Sequence, residues 1–164
     1  MKARIASPLL LLPLLAVLST PVLAQGTAHI GYRGWGVRAG LSHNPDQVYG
    51  GFHWDMGEFA RNVRFRPSVE FGFGDHVTVV QGNAEVHYVF SKVQVWKPYV
   101  GGSGGIIYSD PDKGSSQTDL SLMGVGGVET KLKSATSFFI EGKVRLTNND
   151  NEPDFKAGVG WTWK

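Results

Sequence analysis

The chain has 164 residues, a net charge of +2 and no cysteine. This length suits one domain after removal of a targeting segment, and the small charge argues against a nucleic-acid partner. Without cysteine the chain can have no disulfide, no cysteine metal site and no lipid-anchored lipoprotein start. Charged residues make up 18% of the chain, and 22 glycines with 12% aromatic residues favour sheets with tight turns.

The N-terminal segment has the pattern of a cleavable secretion signal. Lys2 and Arg4 precede a leucine-rich stretch, which ends in the small-residue cleavage site Val22-Leu23-Ala24. The stretch is short for a spanning helix and contains prolines, so an uncleaved anchor is the weaker alternative. We predict a signal peptide over residues 1–24 and an exported domain over residues 25–164.

The rest of the chain, taken in order, is dominated by alternation of apolar and polar residues. Successive side chains of a strand point to opposite faces, so this period of two indicates strands. We predict eight of them, each about ten residues long, which is the length of a tilted strand that crosses a bilayer. Turn signals rich in Asn, Asp, Gly and Pro separate them. The predicted strands cover residues 35–42, 47–56, 63–73, 78–90, 99–108, 118–128, 137–147 and 155–164.

Alternation alone does not determine which face is outward. A soluble lipocalin-like barrel would enclose an apolar ligand with its apolar faces, whereas a membrane barrel would turn these faces to lipid. The polar faces combine charges with glycines, which suits a cramped interior, and large aromatic residues near strand ends indicate girdles at the membrane interfaces. We therefore predict an all-β, eight-stranded antiparallel up-and-down transmembrane β-barrel. Its predicted aromatic girdle consists of Trp35, Trp54, Tyr88, Phe90, Phe155, Trp161 and Trp163.

Two glycine-rich runs and the last strand of the chain resemble those of a known family. The run Lys97-Pro98-Tyr99-Val100-Gly101-Gly102-Ser103-Gly104-Gly105, the run Gly124-Val125-Gly126-Gly127-Val128-Glu129 and the aromatic C-terminal strand are similar to eight-stranded outer-membrane barrels of the OmpA/OmpX type. The resemblance covers Gln25 to the end. It implies a cell outer membrane location, contact with outer-membrane lipid and lipopolysaccharide, insertion by the barrel-assembly machinery, and a monomer.

An eight-stranded barrel has room inside only for side chains, so we predict a closed interior without an open pore. Unpaired buried charges are costly, so the interior charges should pair with one another. A gated channel or a proton path is the functional alternative. The predicted interior network consists of Arg38, Asp55, Arg64, Arg66, Glu70, Glu85, His87, Glu141, Lys143, Arg145 and Lys156.

Two pairs on polar faces carry the candidate chemistry. His53 with Asp55, and Glu85 with His87, have a spacing that could serve a metal or an acid–base pair. No nucleophile with an orienting third group accompanies either pair, and no His-x-Ser pattern typical of outer-membrane deacylases lies on a strand. We predict no enzyme, no cofactor and no metal. A lipid A-modifying hydrolase or acyltransferase is the enzymatic alternative.

The loops offer the remaining functional hint. With both termini in the periplasm, the segments 43–46, 74–76, 109–117 and 147–153 would face outward, and 57–62 would be a periplasmic loop. Exposed loops commonly carry recognition functions. The predicted function is therefore a structural or surface-interaction role, with binding by 109–117 and 147–153.

Overall fold

The computed structural model forms one closed β-barrel. It describes residues 29–43, 46–74, 77–91, 95–112, 114–133, 135–146 and 154–164, so the predicted signal peptide lies outside the described residues. Each strand pairs antiparallel with its neighbours in the chain, and the last strand closes onto the first. The predicted eight-stranded antiparallel up-and-down barrel is confirmed. The strands are β1 His29–His43, β2 Gln47–Ala60, β3 Val63–Gly74, β4 Val77–Val89, β5 Lys97–Pro111, β6 Gln117–Lys133, β7 Thr136–Arg145 and β8 Phe155–Trp163.

The two ends of the barrel differ in their connections. The terminus end carries His29, Lys164 and the turn Arg61-Asn62, together with the connection from β4 to β5. The loop end carries the segment 112–116 between β5 and β6 and the connection from β7 to β8. Within the described residues there is no helix long and apolar enough to cross a membrane.

Several strands are longer than the predicted ten residues, and the predicted periplasmic loop at 57–62 is wrong. β2 continues to Ala60 and turns through Arg61 and Asn62 alone. Asn62 has a φ of 63°, a left-handed conformation that asparagine tolerates in tight turns. Gly57, with a φ of 78°, lies at an irregularity of the ladder and donates its backbone N–H to Asp55 Oδ1 at 3.0 Å. Because the irregularity interrupts the alternation of apolar and polar residues, the sequence pattern did not show that β2 continues to Ala60.

The loop between β5 and β6 is likewise shorter than predicted. β5 extends to Pro111 and β6 begins at Gln117, so only 112–116 of the predicted segment 109–117 lies outside the strands. Thr78 pairs with Asp110, and Val77 with Pro111, so the ladder between β4 and β5 continues well toward the loop end.

The wall of the barrel has an apolar outer face and a mainly polar inner face. Leu120 is 80% exposed and Phe73 62% exposed, whereas Glu85 and His53 are fully buried. This arrangement is the reverse of that of a soluble barrel, which encloses an apolar ligand. Interior glycines make room for large interior side chains: a Cβ at Gly40 would lie 2.8 Å from the Tyr49 hydroxyl.

Candidate functional site

Six charged side chains meet at the centre of the barrel, and we call them the central network. Arg38 of β1 donates from Nη1 to Glu85 Oε1 at 2.8 Å and to Glu141 Oε1 at 3.0 Å, and lies 3.2 Å from Glu70 Oε1. The side chains of the network are between 0% and 8% exposed. Its members are Arg38, Glu70, Glu85, Glu141, Lys143 and Lys156.

The lysines complete the central network. Lys143 Nζ donates to Glu70 Oε1 and to Glu85 Oε1, both at 2.7 Å. Lys156 Nζ lies 3.2 Å from Glu70 Oε2 and 2.6 Å from the side-chain oxygen of Gln81. Three cations thus face three carboxylates, so the network is neutral as a whole. Neutrality and multiple hydrogen bonds are what a buried set of charges requires.

A layer of rings lies next to the central network, on the side of the terminus end. His87 stacks on Tyr99 with ring centroids 4.9 Å apart, and the Tyr99 hydroxyl donates to Glu141 Oε2 at 3.0 Å. The Arg66 guanidinium lies 4.9 Å from the centre of the Phe139 ring. The sequence pattern does not predict this layer, because alternation places its aromatic residues on the polar faces without indicating a function for them there. The buried apolar and aromatic residues inside the barrel are Tyr49, Val79, Val89, Tyr99, Ile107, Met123, Val125 and Phe139.

Asp55, Arg64, Glu129 and Lys164 form a second ionic group, which we call the terminal-mouth cluster. Arg64 Nη1 donates to Glu129 Oε2 at 2.7 Å, and Lys164 Nζ lies 3.0 Å from Asp55 Oδ2. Arg66 Nη2 also approaches Glu129 Oε2, at 3.4 Å. The cluster is less enclosed than the central network, since Arg64 is 12% and Lys164 37% exposed at the side chain.

Toward the loop end, Arg145 of β7 pairs with Asp154, which directly precedes β8. Arg145 Nη2 is 2.9 Å from Asp154 Oδ2. Burial raises the pKa of the Asp154 carboxyl, and the nearby Arg145 guanidinium only partly opposes this effect. Asp154 therefore favours its protonated form more than a free aspartate does.

The structure divides the eleven predicted network residues among these places. Arg38, Glu70, Glu85, Glu141, Lys143 and Lys156 lie in the central network, Asp55 and Arg64 in the terminal-mouth cluster, Arg66 and His87 in the layer of rings, and Arg145 toward the loop end. His87 Nε2 lies 3.4 Å from Glu85 Oε2.

Sequence reasoning missed three charged partners, Glu129, Asp154 and Lys164. The predicted strand stopped one residue before Glu129, and Asp154 precedes the last strand. Lys164 fell on the polar face of its strand, so alternation alone could have identified it.

The two candidate acid–base pairs differ in the structure: His53 and Asp55 have separate partners, whereas His87 Nε2 lies 3.4 Å from Glu85 Oε2. His53 shares a hydrogen bond of 2.8 Å with Thr162 Oγ1, while Asp55 pairs with Lys164, so the two do not act together. Glu85 is engaged by Arg38 and Lys143. In the part of the chain that the structure describes, no group of three or more His, Asp or Glu side chains could hold a metal ion.

The predicted girdle residues all lie on the outer surface. Trp35 and Trp163 have ring centroids 5.0 Å apart, Tyr88 and Phe90 5.1 Å, and all four lie near the terminus end. Phe155 alone belongs to the loop end. The predicted girdle residues are between 37% and 46% exposed: Trp35, Trp54, Tyr88, Phe90, Phe155, Trp161 and Trp163.

Comparison with known proteins defines the class of the fold. No model of a known protein family and no curated protein matches this sequence. Among solved structures, Neisserial surface protein A aligns with a TM-score of 0.66 at 14% identity, over 81% of this chain and 96% of that one. The N-terminal β-barrel domain of Pseudomonas aeruginosa OprF gives 0.59 at 14% identity, over 81% and 98%. Ail of Yersinia pestis gives 0.52 at 12% identity, over 82% and 98%.

The chain thus has the fold of small eight-stranded outer-membrane β-barrels, as its resemblance to OmpA/OmpX-type barrels implied. At these identities the likeness concerns the fold.

Proposed function

We propose that this chain is an integral β-barrel of a bacterial outer membrane with a structural or surface-interaction role and no catalytic activity. The apolar outer face is the observation that carries the proposal. Exposed apolar side chains surround the barrel, including Leu41, Phe73 and Leu120. Soluble monomers rarely expose apolar patches larger than a few hundred Å², whereas a lipid-facing band about 25 Å tall is the rule for membrane barrels.

The interior supports a closed structural barrel over a channel. The central network spans from β1 to β3, β4, β7 and β8, and the ring layer lies beside it. Charged side chains that share several hydrogen bonds in a neutral set resist displacement, because a broken pair leaves a buried charge without a partner. The same burial keeps solvent and substrate from His53 and Glu85, which argues against catalysis there.

The route to the membrane follows from the sequence pattern. The proposal includes removal of residues 1–24 as a signal peptide, insertion by the barrel-assembly machinery and contact with outer-membrane lipid and lipopolysaccharide as a monomer. It places the terminus end in the periplasm and the loop end outside. No nucleic acid and no cofactor takes part.

The outer segments are the proposed interaction surface. In 112–116, the Ser116 hydroxyl donates to Asp110 Oδ1 at 2.9 Å and ties the segment to the end of β5. The segment 147–153 lies outside the described residues. Replacing 112–116 with a two-residue turn should abolish binding to a surface partner and leave the barrel folded.

The first test is the gel mobility of the protein in an isolated outer-membrane fraction, with and without boiling in SDS. A folded membrane barrel resists SDS until it is heated, so we expect a heat-dependent shift. Recovery from the soluble periplasm without detergent would overturn the proposal.

A further inference from the structure

The terminus end contains an open recess with an excess of positive charge. The recess has a volume of about 530 Å³, and its polar lining includes Arg64, Lys97, Lys131, Lys164, Thr130 and Ser137. A second recess of about 310 Å³ adjoins it, shares Arg64 and Lys164, and adds Arg33. Across both, five Arg and Lys side chains face the three carboxylates Asp55, Glu58 and Glu129.

Three of these cations, Arg33 in the second recess and Lys97 and Lys131 in the first, lack a carboxylate partner in the described part of the chain. Glu129 is engaged by Arg64 and Arg66, and Asp55 by Lys164. Lys97 and Lys131 form no ion pair with any carboxylate among the residues that the structure describes. The sequence contains no acidic residue between 90 and 98 or between 130 and 138. Two ammonium groups beside two hydroxyl groups form a setting for an oxyanion.

The recess lies at the height of the tryptophans of the outer surface. Trp96 precedes Lys97 and Phe138 follows Ser137, and the two rings pack edge to face with centroids 6.4 Å apart. Tryptophans of membrane proteins lie at the level of the lipid headgroups. Thr130 alternates with the inward-facing Glu129 and also lines the recess, so the recess reaches across the rim of the barrel toward the lipid side.

Among the described residues, the loop end has an excess of negative charge. Asp46, Asp112, Asp119 and Asp154 lie there, with Arg145 as a cation paired to Asp154. A positive excess at one end of the barrel is therefore a local property of this rim, because the whole chain has a net charge of only +2.

We propose that Lys97 and Lys131 bind the phosphate of an anionic phospholipid headgroup in the leaflet at the terminus end, with Thr130 and Ser137 as hydrogen-bond donors. The inference rests on the proposed membrane location. Basic residues near a membrane surface attract anionic lipids, and each contributes about fivefold in affinity. Phosphate can also reach this rim from water as a free ion, so the source of the phosphate is part of the test.

The experiment uses the full chain folded in zwitterionic detergent and native mass spectrometry. Wild type receives an equal mixture of short-chain phosphatidylglycerol and phosphatidylcholine, and in a separate arm inorganic phosphate. The test variant is Lys97→Gln with Lys131→Gln, and the matched control is Lys97→Arg with Lys131→Arg, which keeps both charges. A heat-dependent gel shift verifies that each variant is folded.

We expect wild type and the arginine control to prefer phosphatidylglycerol, and the glutamine variant to lose at least about fivefold of this preference. Equal binding of the two lipids by folded wild type would overturn the inference, as would a preference that survives in the glutamine variant. Binding of inorganic phosphate without a preference between the two lipids would show that the site binds free phosphate, and it would overturn the proposal that the phosphate belongs to a lipid headgroup. A protein that needs no detergent and shows no gel shift would instead contradict the proposed function.

Discussion

The central network and the terminal-mouth cluster contain ion pairs of equal length in different surroundings. Lys143 Nζ lies 2.7 Å from Glu85 Oε1, and Arg64 Nη1 lies 2.7 Å from Glu129 Oε2. The first pair is at most 1% exposed, whereas the second is about a tenth exposed. Water can replace a lost partner at the mouth but not at the centre. Burial, and not the distance between atoms, should therefore set the cost of breaking each pair.

The largest loss of stability should come from removing a carboxylate of the central network. Replacing Glu85 with alanine leaves Arg38 and Lys143 short of a carboxylate in a closed interior. We expect the free energy of unfolding to fall by about 3–5 kcal/mol, measured by urea titration of the barrel refolded in lipid vesicles. Glu70→Ala should lower the unfolding midpoint for the same reason.

The matched control for Glu85→Ala is a glutamate-to-alanine substitution at the rim of the barrel. Glu58→Ala removes a half-exposed carboxylate of β2 and should change the free energy of unfolding by less than about 0.5 kcal/mol. Equal losses for Glu58→Ala and Glu85→Ala would show that burial does not separate the two regions.

The outward-facing positions of the barrel allow a second comparison, between the cost of a charge at mid-height and its cost close to the loop end. Ala39 faces outward near mid-height, opposite Val159 of β8, while Thr78 faces outward close to the loop end. In a bilayer, Ala39→Arg should cost about 2–4 kcal/mol and Thr78→Arg about 0–1 kcal/mol, because the cost of a charge depends on its depth. Folding titrations in vesicles measure both, and equal small costs would argue against lipid on this face.

The alternation of the sequence predicted the faces of the strands, because a shift of one residue would reverse every side chain. It placed Val63 and Phe138 outward and Glu70 and Lys143 inward, as the structure has them. Alternation does not state where a strand ends. The irregularity at Gly57 therefore concealed the end of β2, and Glu129 was left outside its strand.

The partners of each interior charge could not be predicted. Arg38 and Glu141 are 103 residues apart in the chain and meet across the barrel. Their contact depends on the stagger between eight strands, which fixes the height of every residue and is absent from the local pattern. For the same reason the sequence did not show that Tyr99 and His87 stack into a layer of rings beside the network.

A moderate loss of stability should follow from removing the negative charge of Glu129 in the terminal-mouth cluster. Glu129→Gln keeps the shape of the side chain and removes the carboxylate that Arg64 and Arg66 share. We expect a loss of about 1–3 kcal/mol in the free energy of unfolding. The buried Arg66 should account for most of it, since water can reach Arg64. In the double variant Glu129→Gln with Arg66→Met, the cost should shrink; an unchanged cost would exclude Arg66 as its source.

The smallest effect tests the most exposed pair. Lys164 is 37% exposed at the side chain, and its Nζ lies 3.0 Å from the enclosed Asp55. Lys164→Gln should lower the free energy of unfolding by less than about 1 kcal/mol, because water and Arg64, whose Nε is 4.0 Å from Asp55 Oδ2, remain near the carboxylate. Urea titration at low and high salt measures this pair directly, since salt should weaken an exposed ion pair and leave the central network unchanged. A loss near that of Glu85→Ala would mean that the mouth is as closed as the centre, and that the recess proposed to bind lipid phosphate is closed to solvent.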